Sequence, residues 1–205
     1  MIIKVYKAKR VLDLSIALML LITLSPFFLL IVILQVIVYG KKIFFIQHRL
    51  TLCAVQFKLI KFRSMHDSYD ANEHLLPDKS RVTGLGKFLR FTSLDELPSI
   101  FNVFQGNLSI VGPRPLPVRY YDLMDGNQRK RFEVKAGITG LAQLERSRQI
   151  SWKKKIDLDL EYISRMSFVL DCKIIFKTLF SLFNASTSKE LGNKSFDLYY
   201  PDFKA

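Results

Sequence analysis

Leu14-Ser-Ile-Ala-Leu-Met-Leu-Leu-Ile-Thr-Leu-Ser25-Pro26-Phe-Phe-Leu-Leu-Ile-Val-Ile-Leu-Gln35-Val-Ile-Val38 is a run of 25 residues without a charge. As one helix it is long enough to cover a hydrocarbon core of roughly 30 Å, so a membrane segment is expected here. The run is too long for a cleaved leader, and no small-residue cleavage pattern closes it. Ser25-Pro26 stands at its middle. Proline removes a helical hydrogen bond and crowds the turn before it, so a break or kink is predicted there. Each half alone makes roughly 18 to 20 Å of helix, too little to cross. Both flanks are basic, residues 4–10 before and Lys41-Lys42 after, and a positive-inside preference holds both on the cytoplasmic side. A re-entrant helix-break-helix satisfies all of this. A proline-kinked single span is the alternative, and sequence physics alone does not separate the two.

The remaining length suits one substantial domain. The chain of 205 residues carries a net charge of +13, and residues 1–63 hold ten basic side chains against Asp13 alone. Such a balance fits nucleic acid, anionic lipid head groups or phosphate-bearing substrates, and the apolar run between the charges favours lipid. Anionic membrane lipids are therefore expected as partners and nucleic acid is not. Cys53 and Cys172 lack the spacing of a zinc site or the density of a disulfide scaffold. The predicted organisation is a membrane element over residues 1–40 with a basic flank, a folded domain over 41–183, and a polar tail over 184–205.

After Gly40, residues 43–46 and 55–61 read as two short strands with residues 47–54 between them, a small hairpin rather than a large sheet. Lys61-Phe-Arg63-Ser-Met65 ends it with two cations and a hydroxyl, a grip for phosphate or an ordinary solvated edge. His66, Asp70 and His74 recur at helical spacing, yet nothing else supports a metal there and a solvated loop is the preferred reading. Thr83-Gly84-Leu-Gly86 lacks the third glycine of a dinucleotide fingerprint and reads as a turn before a helix. Lys87-Phe-Leu-Arg90-Phe91 mixes cations with apolar residues, which suits a membrane surface.

Phe91-Thr-Ser-Leu-Asp95-Glu96-Leu-Pro98 places two adjacent carboxylates at an apparent helix start, and Val111-Gly-Pro113-Arg114-Pro115 follows about twenty residues on. Together they look like two sides of an anion or metal-phosphate site. Ser93-Leu-Asp95-Glu96 also fits a capping box, and spacing alone prefers the cap. Leu97, Ile100, Phe101 and Phe104 keep the spacing of a buried helical face, and Gly106 is placed to end it. Prolines on both sides of Arg114 fix its backbone, so its guanidinium is suited to bidentate phosphate binding. In the last third, residues 128–140 read as a basic helix running into a glycine-bounded turn. Trp152, Ile156, Leu160 and Ile163 form a core-facing stripe, and residues 168–183 read as an interfacial segment or a buried helix.

The order of these motifs resembles the bacterial sugar transferases, the monotopic polyprenyl-phosphate phosphoglycosyltransferases. The pieces are Lys9-Arg10-x-x-Asp13, Ser25-Pro26, Lys61-Phe-Arg63-Ser-Met65, Leu89-Arg90-x-x-Ser93-Leu-Asp95-Glu96-Leu-Pro98, Asn102-Val103, Gly112-Pro113-Arg114-Pro115, Gly137-Ile-Thr-Gly140 and Asp159-x-x-Tyr162. Each is weak alone, and in this order they are specific. The resemblance implies an α+β, mostly helical protein with a re-entrant membrane hairpin broken at Ser25-Pro26, a short β-hairpin and interfacial amphipathic helices. It implies a catalytic domain on the cytoplasmic face of the bacterial inner membrane. The implied reaction moves a sugar 1-phosphate from a UDP-sugar to undecaprenyl phosphate with release of UMP, the first membrane step of a surface glycan. Asp95 would be the nucleophile that forms a covalent phosphosugar intermediate, and Glu96, with Asp95, would hold Mg²⁺. Lys61, Arg63, Arg90 and Arg114 are the phosphate-binding candidates. Pro113, Pro115, Arg146 and Arg148 fall on the nucleotide side.

Three departures stand out. Gly40-Lys41-Lys42 lacks the usual proline, Gln47-His-Arg49-Leu-Thr51 lacks the glycine after its arginine, and Gln143-Leu-Glu145-Arg146-Ser-Arg148 replaces the family's Asn-Gly-Arg-Asn. An inactive membrane-bound scaffold or an anionic-lipid-binding protein is the alternative, and a homo-oligomer is compatible with either.

Overall fold

A computed structural model describes residues 5–70, 72–74, 76–145 and 151–183. The apolar run lies within helix α1, Lys9–Tyr39, which continues through Pro26. The expected break is thus not a loss of helix. Proline at position 26 leaves the carbonyl of Ile22 without its amide donor, and the Ser25 hydroxyl donates to that carbonyl at 2.8 Å. Leu18, Ile22, Phe27, Leu29 and Ile37 are each more than half exposed, so none of the described residues covers this surface.

One stripe of α1 does pack. Ala17 joins a core with Phe57, Leu59, Ile100, Val103 and Ile174, and Ile31 packs with Phe62 and Leu89. Both ends of α1 are bonded to the same domain. Near the start, Arg10 donates to the carbonyls of Val103 and Phe104. Near the end, Gln35 donates to the carbonyl of Arg63 and Tyr39 shares a hydrogen bond with Thr83.

The hairpin is longer than the sequence predicts. Strand β1, Phe44–Leu50, pairs antiparallel with β2, Gln56–Phe62, in the register Phe44↔Phe62 to Leu50↔Gln56. Gln47 to Arg49 belong to the first strand and not to the connection, which closes through left-handed Cys53 and Ala54, at φ 55° and 56°.

Two short helices follow, α2, Asp78–Arg81, and α3, Gly84–Thr92. The Thr83 hydroxyl accepts from the Gly86 amide and caps α3. His66 does not join His74 in a metal site. Its ring lies tilted against Tyr39, while Asp70 accepts the amides of Asn72 and His74 in a turn.

The chain then enters a 3-10 turn, Leu94–Ser99, helix α4, Ile100–Phe104, and strand β3, Ser109–Val111. Gly106, at φ 82°, ends α4 as expected. The buried face of α4 is Ile100 and Val103, whereas Phe101 is 37% exposed and lies edge-on to Phe28 of α1.

A second sheet was not expected. Strand β4, Gly137–Thr139, runs parallel to β3, and the stretch expected as a basic helix is a 3-10 turn, Gln128–Glu133. The pairing needs glycine: a Cβ on Gly137 would lie 2.1 Å from the Gly112 nitrogen. Helices α5, Leu141–Leu144, α6, Trp152–Arg165, and α7, Phe168–Phe183, complete the fold. The expected stripe of α6 packs, with Trp152, Ile156 and Leu160 in one cluster and Ile163 against the main core, and the most buried line of the helix is Ile156, Asp159 and Tyr162. It is set by partners: Asp159 meets Arg131, and Tyr162 donates to Asp171. Helix α7 buries Asp171 and Ile174 and leaves Phe168, Val169, Phe176 and Phe180 exposed. The described fold is mostly helical with small two-stranded sheets and one apolar amino-terminal helix.

Candidate active site

Asp95 and Glu96 lie in the 3-10 turn and not in the first turn of an α-helix. Ser93 makes no side-chain cap; it ends α3 in the left-handed conformation, φ 61°, and its carbonyl accepts from the Glu96 amide. The capping-box reading is therefore overturned. The turn is short because Pro98 cannot donate, and the Ser99 hydroxyl donates back to the Glu96 carbonyl. Free of capping duty, both carboxylates are available to other partners.

Lys61 reaches Glu96 because it follows Phe57 and Leu59 on the inward face of β2. Its ammonium donates to Glu96 Oε1 at 2.5 Å, and Arg114 reaches the same oxygen at 3.3 Å. Asn102 holds β2 in place: fully buried, it accepts from the Ile60 amide and donates to the Lys58 carbonyl, as a neighbouring strand would. Leu59, Lys61, Ser99, Arg114 and Pro115 surround Glu96 in one narrow cleft that also takes in Arg49 and Gln143.

Arg114 is an exposed residue between two buried prolines, Pro113 and Pro115. Every carbonyl of its loop is taken. Gly137 donates to Pro113, Arg131 to Arg114, Arg49 to Pro115 and the Leu50 amide to Leu116. Arg131 is itself held by buried Asp159 at 2.5 Å. The guanidinium thus projects from a backbone with little freedom left to lose.

The electrostatics of the two acids diverge. Burial alone would push Glu96 up, but Arg114, Lys61 and Arg49 outweigh it and hold the carboxyl at about 2. Asp95 is raised, first by burial and then by the charge of Glu96, with Lys61, Arg90 and Arg114 only partly offsetting this. Asp95 makes no hydrogen bond or ion pair among the described residues, whereas Glu96 makes both. A half-buried carboxylate without a partner, ringed by cations, is a site of chemistry more often than of stability.

The sequence candidates divide accordingly. Asp95, Glu96, Lys61 and Arg114 come together, and Arg90 acts on Asp95 through space while donating to the Ser64 hydroxyl. Arg63 pairs with Asp67 at 2.8 Å. Ser25 and Pro26 lie exposed on α1. Arg146 and Arg148 lie outside the described residues. Arg49, Asn102 and Arg131 carry positioning roles that no reading of the residues assigned. Arg49 shares a strand face with Gln47, to which it donates at 2.6 Å, so extending the first strand by its alternation would have revealed it. Burial and then Arg114 lower its guanidinium to about 10.

Among the described residues no group of three or more acids, histidines or cysteines gathers to hold a metal ion. The donor set that exists is Asp95, without a partner, and the second oxygen of Glu96. Two hard carboxylate oxygens are the donor type that would suit a magnesium ion.

A carboxylate pair set among phosphate-seeking cations is the candidate site, and comparison with known proteins supplies the class, a bacterial sugar transferase. The chain belongs to the bacterial sugar transferase family, whose sequence model matches residues 4–185. It is 44% identical over 171 residues to the "Uncharacterized sugar transferase EpsL" of Bacillus subtilis, covering 83% of this chain and 85% of that one. It is 34% identical over 189 residues to the "Exopolysaccharide production protein ExoY" of Sinorhizobium fredii, covering 84% of each. It is also 40% identical over 186 residues to the "UDP-glucose:undecaprenyl-phosphate glucose-1-phosphate transferase" of Klebsiella pneumoniae, covering 85% of this chain and 40% of that longer protein.

Proposed function

We propose that the chain moves a sugar 1-phosphate from a UDP-sugar to undecaprenyl phosphate and releases UMP, the initiating membrane step of a bacterial surface glycan. The observation that carries this reading is the contrast between Glu96, ionised and locked by Lys61 and Arg114, and Asp95, unpartnered beside it. A Coulomb-neutralised neighbour and a free carboxylate oxygen are what a nucleophile at an anionic phosphorus requires.

In the proposed sequence Asp95 attacks the sugar-linked phosphorus, forming an acyl-phosphate bond as the bond to UMP breaks. The lipid phosphate oxygen then attacks the same phosphorus and frees Asp95. Lys61 and Arg114, with Arg90 near, receive the donor's phosphate charge, and the fixed loop of Pro113 to Pro115 keeps Arg114 aimed. Asp95 and Glu96 would hold Mg²⁺, which when bound supplies charge neutralisation of the diphosphate. Arg146 and Arg148 are proposed on the nucleotide side.

The membrane arrangement proposed is monotopic: α1, bent at Pro26, enters the cytoplasmic leaflet and both its ends stay on that face. Its two ends are bonded to one domain through Arg10 and Lys9 at the start and Gln35 and Tyr39 at the end. Both ends are thereby held at one domain, and the basic residues beside them favour the cytoplasmic side for both. The exposed apolar faces of α7 and of Phe88 and Phe91 in α3 supply interfacial contacts, and the basic flanks meet anionic lipids on the cytoplasmic side.

The test is release of UMP and transfer of labelled sugar phosphate to undecaprenyl phosphate by membranes carrying the chain, with a panel of UDP-sugars. Asp95→Asn is expected to abolish both; full activity in that variant would remove the nucleophile assignment. A scaffold would release no UMP from any donor.

A further inference from the structure

A second cavity, about 300 Å³ and at the lower end of the roughly 300–1,000 Å³ typical of small-molecule sites, shares no lining residue with the catalytic cleft. Val5, Val111, Val134 and Met166 give it an apolar wall, and Lys9, Arg10 and Lys135 face it against a single acid, Asp13. Most of that charge is already used. Lys9 is bound to Asp171 and the Val111 carbonyl, Arg10 to the carbonyls of Val103 and Phe104, and Asp13 to the Ser109 hydroxyl and the Ile110 amide.

Lys135 is different. It makes no hydrogen bond or ion pair among the described residues, and it sits beside a like charge. Its ammonium and the Arg10 guanidinium lie 3.7 and 3.8 Å from where a Cβ on Gly106 would stand. Burial and then Arg10 lower its pKa, the condition a bound anion would relieve.

Placement narrows the ligand. Lys9 and Arg10 open α1, where exposed apolar surface begins at Val11, 65% exposed, and Met166 stands just before α7 with its exposed Phe168 and Val169. The cavity therefore adjoins the starts of two helices with exposed apolar faces, the level of lipid head groups if α1 enters the membrane. Free phosphate would satisfy the cations and leave the apolar wall wet. A zwitterionic lipid would bring its own cation to Lys135.

We propose that this cavity binds one anionic phospholipid, its phosphate on Lys135 and Arg10 and the upper acyl chain against Val111, Val134 and Met166. The proposal rests on the membrane reading of α1. Such a lipid would tether the domain at the end of α1, apart from the acceptor lipid, which has to reach Asp95.

The full chain on phosphatidylcholine vesicles doped with a photoactivatable phosphatidylglycerol tests this, with photoactivatable phosphatidylcholine as the parallel arm. Mass spectrometry should find label on the peptides carrying Val134-Lys135 and Met166, at least about fivefold above the zwitterionic probe. Label should fall about fivefold in Lys135→Glu, and also in Met166→Trp, which fills the wall and leaves the charge. Excess inorganic phosphate should not displace it. Equal labelling by both probes, no response to Lys135→Glu, or displacement by inorganic phosphate overturns the site. Sedimentation with the vesicles is read in the same samples: a chain that sediments without the pattern defeats only this proposal, and one that stays in solution defeats the membrane reading as well.

Discussion

Two groups of charged side chains share this small domain and are built on opposite rules. At the start of α1, Lys9, Asp13 and Asp171 are almost wholly buried, at 6%, 2% and 0% exposure. Lys9 donates to Asp171 and to the Val111 carbonyl. Tyr6 and Tyr162 donate to Asp171, and Ser109 and the Ile110 amide donate to Asp13. Burial and then Asp171 push the Tyr162 phenol up, so it stays a neutral donor. At the cleft, by contrast, Glu96 takes two cations, and its chain neighbour Asp95 takes none among the described residues. A closed network resists change and specifies where the helix sits; an open one keeps a charge ready for a ligand. The difference between them is satisfaction, not charge.

The sharpest way to break that comparison is Asp95→Asn. Removing a nucleophile should lower UMP release by about 10³-fold or more. Because Asp95 is burdened by burial and by Glu96, the amide should also raise the melting temperature. A variant that lost activity and stability together would place Asp95 with the closed network. At the other cluster the expectation reverses. Lys9→Met leaves Asp171 and Asp13 buried without their cation and should cost about 3–5 kcal/mol in denaturant unfolding. Its effect on turnover should track the fraction folded.

The acid limb of stability sharpens the contrast further. Glu96 is held at about 2 against an ordinary 4.5, so its contribution is present above pH 4.5 and is lost as pH falls through about 2. That fall corresponds to about 3 kcal/mol. Asp95, shifted the other way, weakens the fold at neutral pH, and that penalty lifts as it protonates. Unfolding followed from pH 6 down to about 2 should therefore show the acid loss in the parent chain, and Glu96→Gln should flatten it.

Legibility in the sequence followed the same division. The apolar helix, the hairpin, the turn at Gly106 and the adjacent Asp95 and Glu96 were readable, because period, glycine and neighbouring charge are local signals, whereas Lys61 joined them only through the order of motifs that carries the family resemblance. The role of the Ser93 segment was not, since a left-handed serine and a 3-10 turn carry the same letters as a capping box. The parallel pairing of β3 and β4 was hidden as well. Its strands are three residues each, 26 residues apart at the nearest ends, and only Gly112, Gly137 and Gly140 mark the close approach. Asn102, Asp159 and Asp171 carry no local signal of what they bond. Each proved to be a buried polar group whose partner lies far along the chain, at Ile60, Arg131 and Lys9, and sequence alone does not reveal such partners.

Ser25 is the smallest closed unit and gives the mildest test. Pro26 frees the Ile22 carbonyl on an exposed face of α1, where a membrane would offer no water to satisfy it, and the Ser25 hydroxyl takes it instead. Ser25→Ala in membranes should cost about 1 kcal/mol, the ordinary net value of one hydrogen bond, read as a small loss of thermal stability with turnover unchanged at low temperature. Pro26→Ala restores the amide donor and should make the serine dispensable, so the double variant should be no less stable than Pro26→Ala alone. If Ser25→Ala were equally costly in both backgrounds, the hydroxyl would be serving something other than the carbonyl that proline frees.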